Sequence, residues 1–237
     1  MDSLTINNSG GGITALRWIY RLERKLGRNF GVPNIMIYVT GTMLAVYALS
    51  LIAMPGLIGF LSFHRGLILS GEVWRILTFA LVPPLSGQPL FVLLSLFVAY
   101  RIGSNLEYTW GTPLFNMYFF LGVIGAIIAG FISGFGTNSY LLLSLILAFC
   151  YINPNATFLL FFILPVKAKH IAIFNWALYI LAFIQGNFAS RMAILFSLLN
   201  FFLFFGPEIF RTMRQNYENS RRRRNYQKNW GNNNPWR

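Results

Sequence analysis

The chain has 237 residues, 56% of them hydrophobic and 17% aromatic, with a net charge of +13 and a mean hydropathy of +0.56. That is too apolar for the surface of a soluble domain of this size and places the chain among integral membrane proteins. Only 11% of residues are charged, most of them near the two ends, and the single cysteine, Cys150, excludes an intramolecular disulfide and a thiolate metal cluster.

In chain order, residues 1–32 read as a cytoplasmic N-terminus. They lack the short apolar core of a cleavable signal peptide, so the first span is expected to stay in the mature protein. Within them, residues 13–28 put Leu16, Ile19, Tyr20, Leu22 and Leu26 on one helical stripe with arginines opposite, the pattern of an interfacial amphipathic helix. Runs near the roughly 20 apolar residues needed to cross about 30 Å of hydrocarbon then predict six spans, at about 33–53, 88–104, 113–134, 137–152, 168–184 and 190–206. The last two are short, which implies local thinning of the bilayer. Residues 33–206 therefore form one all-α, polytopic membrane domain.

Two stretches interrupt the spans. Residues 54–87 are apolar but broken by Gly56, Gly59, Gly66, Gly71, Pro83 and Pro84, and should lie in the interface rather than cross it. Residues 153–167 hold an apolar piece too short to span, ending at Pro165, and read as a loop held against the membrane. The tail, 207–237, is polar and basic without apolar period and reads as disordered.

Lysine and arginine distribution sets the expected orientation. With an even number of spans the basic residues before the first span, Arg101, Lys167, Lys169 and those of the tail share one side, leaving Arg65, Arg75 and Arg191 on the other. Both termini are thus expected in the cytoplasm, with a bacterial inner membrane as the default location. Arg221 to Arg224 near Tyr217, Tyr226, Trp230 and Trp236 also resemble a nucleic-acid footprint. A polybasic tail directly after a final span fits the anionic inner leaflet better, at about 1 kcal/mol per charge.

Three segments carry a family likeness: "GEVWRILTFALVPP" from 71, "GSNLEYTWGTPLFNMYFFLGVIGAI" from 103 and "NPNATFLLFFILPVKAKHI" from 153. Their motif residues are Trp74 and Arg75, then Gly103, Leu106, Glu107, Trp110 and Gly111, then Pro154, Pro165, Lys167 and Lys169. In order and spacing they resemble the rhomboid superfamily over about residues 33–206. The resemblance implies a six-helix bundle with an interfacial first loop, whose active members cut membrane helices with a serine in the fourth span and a histidine in the sixth.

Carried onto this chain, the serine motif falls on Thr137, Asn138, Ser139 and Tyr140, so that the serine remains and both glycines are gone. The histidine position is Ile194, and Phe196 and Ser197 replace the glycines beyond it. The oxyanion-stabilising positions of the second span fall on Phe91 and Ser95. A hydroxyl is a poor nucleophile without a base within about 3 Å, and a phenyl ring donates nothing to an oxyanion. His64, in the first loop, and His170, at the opposite membrane face from Ser139, do not replace the base. Ser139 reads instead as a polar helix start that caps orphan N–H groups.

The remaining polar residues invite structural roles. Glu107 should pin the turn after the second span by accepting backbone N–H bonds, Trp74 and Arg75 should anchor the first loop at the interface, and Asn200 should bond across helices. The six acids are scattered, and neither a phosphate-binding Gly-x-x-x-x-Gly-Lys loop nor a His-Glu-x-x-His zinc motif is present, so no cofactor and no metal is expected.

The reading that follows is a rhomboid-like pseudoprotease, comparable in design to the Derlin group, that binds transmembrane segments of client proteins between its second and fifth spans without cleaving them. Phe91, Phe97, Trp176 and Phe183 are the candidate gate residues, against a bland role as lipid-facing packing. Two rivals stay open: a divergent rhomboid protease using Ser139 with an unrecognised base, and a transporter or channel. The latter would show charges deep in the spans or broken helices in two matching halves, and neither is apparent.

Overall fold

The computed structural model describes residues 31–84, 88–160 and 164–232. The expected amphipathic helix at 13–28 lies outside the described residues, as does 233–237. Helix α1 (Ile35–Ile52) opens the bundle. The first loop follows as α2 (Leu57–Leu61), β1 (Phe63–His64), α3 (Arg65–Leu69), α4 (Arg75–Thr78) and one 3-10 turn (Phe79–Leu81). Helices α5 (Pro89–Trp110) and α6 (Thr112–Ser133) each carry a proline in the first turn, where a missing N–H costs nothing. Only Gly111 separates them, at φ +85°, a left-handed conformation that any side chain would strain. Strand β2 (Phe135–Gly136) pairs antiparallel with β1. Then come α7 (Ser139–Ile152), the antiparallel ribbon of β3 (Thr157–Leu160) and β4 (Leu164–Lys167), α8 (Ala168–Gln185) and α9 (Phe188–Asn232).

Among the described residues five helices are long and apolar enough to cross a membrane: α1, α5, α6, α8 and the Phe188–Pro207 part of α9. The chain is accordingly an all-α integral membrane protein, its strands limited, among the described residues, to the two short ribbons. Helix α7 is apolar but only 14 residues long, about 21 Å at 1.5 Å per residue. It packs against α5, α6, α8 and α9, so protein rather than lipid surrounds much of it. The broadest helix interface is that of α9 on α6, while α1 lies on α5. Close approach of α1 and α5 depends on Gly103, where a Cβ would overlap the side chain of Met36.

Five of the six predicted spans fall on these helices apart from their ends, α5 running on to Trp110, while the fourth, 137–152, falls on the shorter α7. Two expectations fail. Residues 153–167 are not a plain loop: Thr157 to Leu160 pair with Leu164 to Lys167, which satisfies backbone groups that a loop against lipid would leave bare. Nor does helix end at 206. It passes through Pro207 to Asn232, because an already folded span removes the cost of nucleation, no glycine or proline lies between 208 and 230, and Arg214 pairs with Glu218 one turn on at 3.1 Å.

The first loop is built around one aromatic plug. Phe63, 1% exposed, meets Phe79 and Phe131 edge-to-face at 5.4 and 5.3 Å. It fills the space left by two glycines, since a Cβ on Gly130 or Gly136 would come within 2.7 or 2.8 Å of its side chain. Arg65 adds two bonds to the same corner, its N–H to Gly134 O at 2.9 Å and its guanidinium to Phe131 O at 3.0 Å. Truncating the plug, Phe63→Ala, should lower stability by about 3–5 kcal/mol, read as a fall in the denaturant midpoint of the purified protein in mixed micelles. A change under about 1 kcal/mol would mean that the loop is held elsewhere.

Candidate functional site

Ser139 is the first residue of α7, and its hydroxyl accepts a bond from Thr137 Oγ1 at 3.1 Å. Thr137 Oγ1 in turn accepts the Ser139 N–H at 3.2 Å. Ser139 is therefore not the capping side chain expected from sequence. Asn138 holds the cap position without making a side-chain cap bond, and spends its amide on Ala80 O and Val82 O, both at 2.9 Å, tying the end of the first loop to the head of α7. Among the described residues no imidazole or carboxylate is hydrogen-bonded to Ser139. Ile194 is a core side chain of 1% exposure.

The second-span positions are no better placed for oxyanion chemistry. Phe91 is 47% exposed on the outer face of α5. Ser95 donates its hydroxyl to Val92 O of its own helix at 2.8 Å, the usual fate of a hydroxyl in an apolar helix. Thr40, Ser50 and Ser133 do the same in α1 and α6.

What converges at the centre is a set of donors aimed at the backbone of α7. Tyr179 of α8 and Ser197 of α9 both donate to Tyr140 O, at 3.0 and 2.6 Å, and touch each other at 3.0 Å. Asn175 of α8 donates to Leu143 O at 3.0 Å. Tyr118 of α6 reaches Ser144 O at 3.2 Å and Ser144 Oγ at 3.1 Å, while Ser144 donates to Leu141 O. Asn200 of α9 donates to Tyr118 O at 3.2 Å, the cross-helix bond expected of it. Three neighbouring helices thus grip one short helix through its carbonyls, and the polar groups involved are almost all buried.

Sequence reading named Ser197 and Asn200 but missed Tyr118, Ser144, Asn175 and Tyr179. A signal was present: Asn175 and Tyr179 stand four apart in α8, and Ser197 and Asn200 three apart in α9, so each pair lies on one helical face. Polar stripes of that kind in apolar spans point inward.

The other motif residues occupy the two ends of the bundle. Glu107 Oε1 accepts the Asn34 N–H at 2.7 Å and the Thr112 hydroxyl at 2.9 Å, so it pins the turn and also the chain entering α1. Glu107 Oε2 is buried with no partner among the described residues. Asn116 clamps the same entry by exchanging bonds with Val32 N–H and C=O at 3.2 and 3.1 Å. At the far end Arg75 anchors the first loop through backbone carbonyls. It is 4% exposed and donates to Gly59 O, Ser62 O and Glu72, crossing the face of Phe60 at 5.5 Å. Trp74 remains partly exposed, stacked near Phe60.

The candidate gate residues sit on two helices, α5 and α8, that each pack on α7. Phe97 and Phe183 are exposed like Phe91, whereas Trp176 is half-buried against Tyr179 and Phe202. Among the described residues no group of three His, Cys, Asp or Glu side chains could hold a metal ion. No protein-family model matches the chain, and no curated protein matches it in sequence.

The Tyr179–Ser197 pair should behave as one unit. Tyr179→Phe and Ser197→Ala, combined in a double-mutant cycle of unfolding free energies, should couple by about 0.6–1.7 kcal/mol. Strictly additive losses would show that the hydroxyls act separately.

Proposed function

We propose that the chain is a rhomboid-like membrane pseudoprotease that holds transmembrane segments of client proteins beside α7, between α5 and α8, without cleaving them. The observation that carries this reading is the environment of Ser139: its hydroxyl meets only the hydroxyl of Thr137 among the described side chains, and the position of a base is the buried Ile194. Without a group to take the serine proton, attack on a peptide carbonyl loses the general-base contribution of about 10²–10⁴-fold, and more if Ser95 and Phe91 leave the oxyanion unmet.

The bundle is read as six spans, with α7 as the short fourth. A helix of about 21 Å suffices where neighbouring helices enclose it, because irregular backbone at its ends then faces protein rather than lipid. Both termini lie on the cytoplasmic side in this scheme, following the distribution of lysine and arginine. The binding surface is apolar on both walls: Leu90, Phe91, Leu93 and Phe97 of α5, and Leu181, Phe183 and Ile184 of α8, are exposed. A client helix with small or polar residues would gain packing and bonds there that lipid tails do not supply.

The test is site-specific photo-cross-linking with a benzophenone residue replacing Phe91 or Trp176, and Ile128 of α6 as a lipid-facing control, each co-expressed with single-span reporter proteins. Full-length reporter should be captured at 91 and 176 and not at 128. Equal capture at all three sites, or reporter fragments that depend on Ser139, would refute the proposal.

A further inference from the structure

Helix α9 continues well beyond its apolar segment. From Pro207 to Asn232 it adds 25 residue steps, roughly 38 Å of helix at 1.5 Å per residue, and residues 210–223 are exposed throughout. Phe210, Met213 and Tyr217 share one face of it and are 72%, 66% and 71% exposed. Thr212, Gln215 and Asn219 fall on the opposite face, and Arg214 and Arg221 flank the apolar stripe. Arg222 and Arg223 are exposed as well, and the only acid between 209 and 223, Glu218, is paired with Arg214.

Three large apolar side chains in a row on a solvated helix call for a cover. A second copy of α9 laid parallel along the stripe would bring two runs of arginine, 221–223, side by side, and like charges at that spacing repel. An anionic lipid surface covers the stripe and neutralises the arginines together, the combination that holds basic amphipathic helices in the headgroup region. The position of the proline suits this arrangement. Pro207 stands where the helix passes from its membrane-spanning part into its polar part. Lacking an N–H, it removes one bond of the helix ladder, so the helix bends there at low cost.

We propose that the α9 extension is a membrane-surface clamp: it turns at Pro207 and lies along an anionic leaflet, with Phe210, Met213 and Tyr217 at the boundary of headgroups and acyl chains and Arg214 and Arg221 on lipid phosphates, while Arg222 and Arg223, on the face of Gln215 and Asn219, add only longer-range attraction. The clamp fixes the depth and rotation of α9, the helix most broadly packed on α6, relative to the leaflet. It holds whether or not a client binds beside α7.

The full-length chain, with Cys150 replaced by alanine, would be labelled with an environment-sensitive bimane at Met213→Cys or at Gln215→Cys. Each would be placed in nanodiscs of phosphatidylcholine alone or mixed with phosphatidylglycerol, with brominated lipid as quencher. In the anionic discs the label at 213 should be quenched several-fold more than the label at 215. The difference should shrink in neutral discs, at high salt, and in an Arg214→Gln, Arg221→Gln variant that keeps its helical circular dichroism. Equal quenching at both positions in anionic discs would overturn the proposal, as a helix standing in water. Protection of 213 that ignores lipid charge, with spin labels reporting a second copy nearby, would overturn it in favour of self-association.

Discussion

The arrangement of this bundle depends on hydrogen bonds delivered to the carbonyl oxygens of one short buried helix. Carbonyls in an α-helix already accept one bond each, but a carbonyl oxygen has two lone pairs and can take a second donor. Leu143 takes its second from Asn175 and Ser144 from Tyr118, while Tyr140 O lies within bonding distance of the Tyr179 and Ser197 hydroxyls, which also bond each other. In a medium where every chain is equally apolar, burial of leucine against leucine distinguishes poorly between neighbours, and such bonds set which helix faces which. Each is modest, about 0.6–2 kcal/mol, and leaving any one donor unpaired within the protein would cost more than the bond gains.

The same arrangement determines what the centre can do chemically. Ser144 is fully buried and occupied by Leu141 O and Tyr118, Ser197 is occupied by Tyr140 O, and Ser95 bonds its own helix. Ser139, partly buried at the helix head, has a threonine for company. Ser144, Ser197 and Ser95 donate to carbonyls that do not titrate and Ser139 accepts from Thr137, whereas nucleophilic chemistry needs an acceptor that binds and releases a proton. The first loop adds rigidity over the head of α7. Phe63 fills its corner, Arg75 ties two of its carbonyls to Glu72, and Asn138 fastens its last turn.

Spans were legible in the sequence because long apolar runs have few alternatives, whereas the turn between the second and third was legible only in outline: the expected ends at 104 and 113 leave eight residues where the structure leaves Gly111 alone. Glu107 and Asn200 could be given partners by type, a turn and a neighbouring helix, and both found them. The specific donors to α7 were hidden because tyrosine and serine are compatible with an apolar span, and only the three-dimensional packing of α6, α8 and α9 shows which face each occupies. The β3–β4 ribbon escaped because its pairing joins residues on either side of a short connection rather than following a local period. The α9 extension escaped because composition alone, polar and basic, describes an unanchored chain, whereas here a preceding span nucleates the helix.

The central claim is that the serine at the head of α7 has, among the described residues, no partner able to activate it. Treating the full-length protein in bilayer nanodiscs with a fluorophosphonate probe, then mapping adducts by mass spectrometry, tests this directly. The account predicts no adduct on Ser139 and the same background labelling in the wild type and in Ser139→Ala. An adduct on Ser139 that disappears in the alanine variant would contradict it.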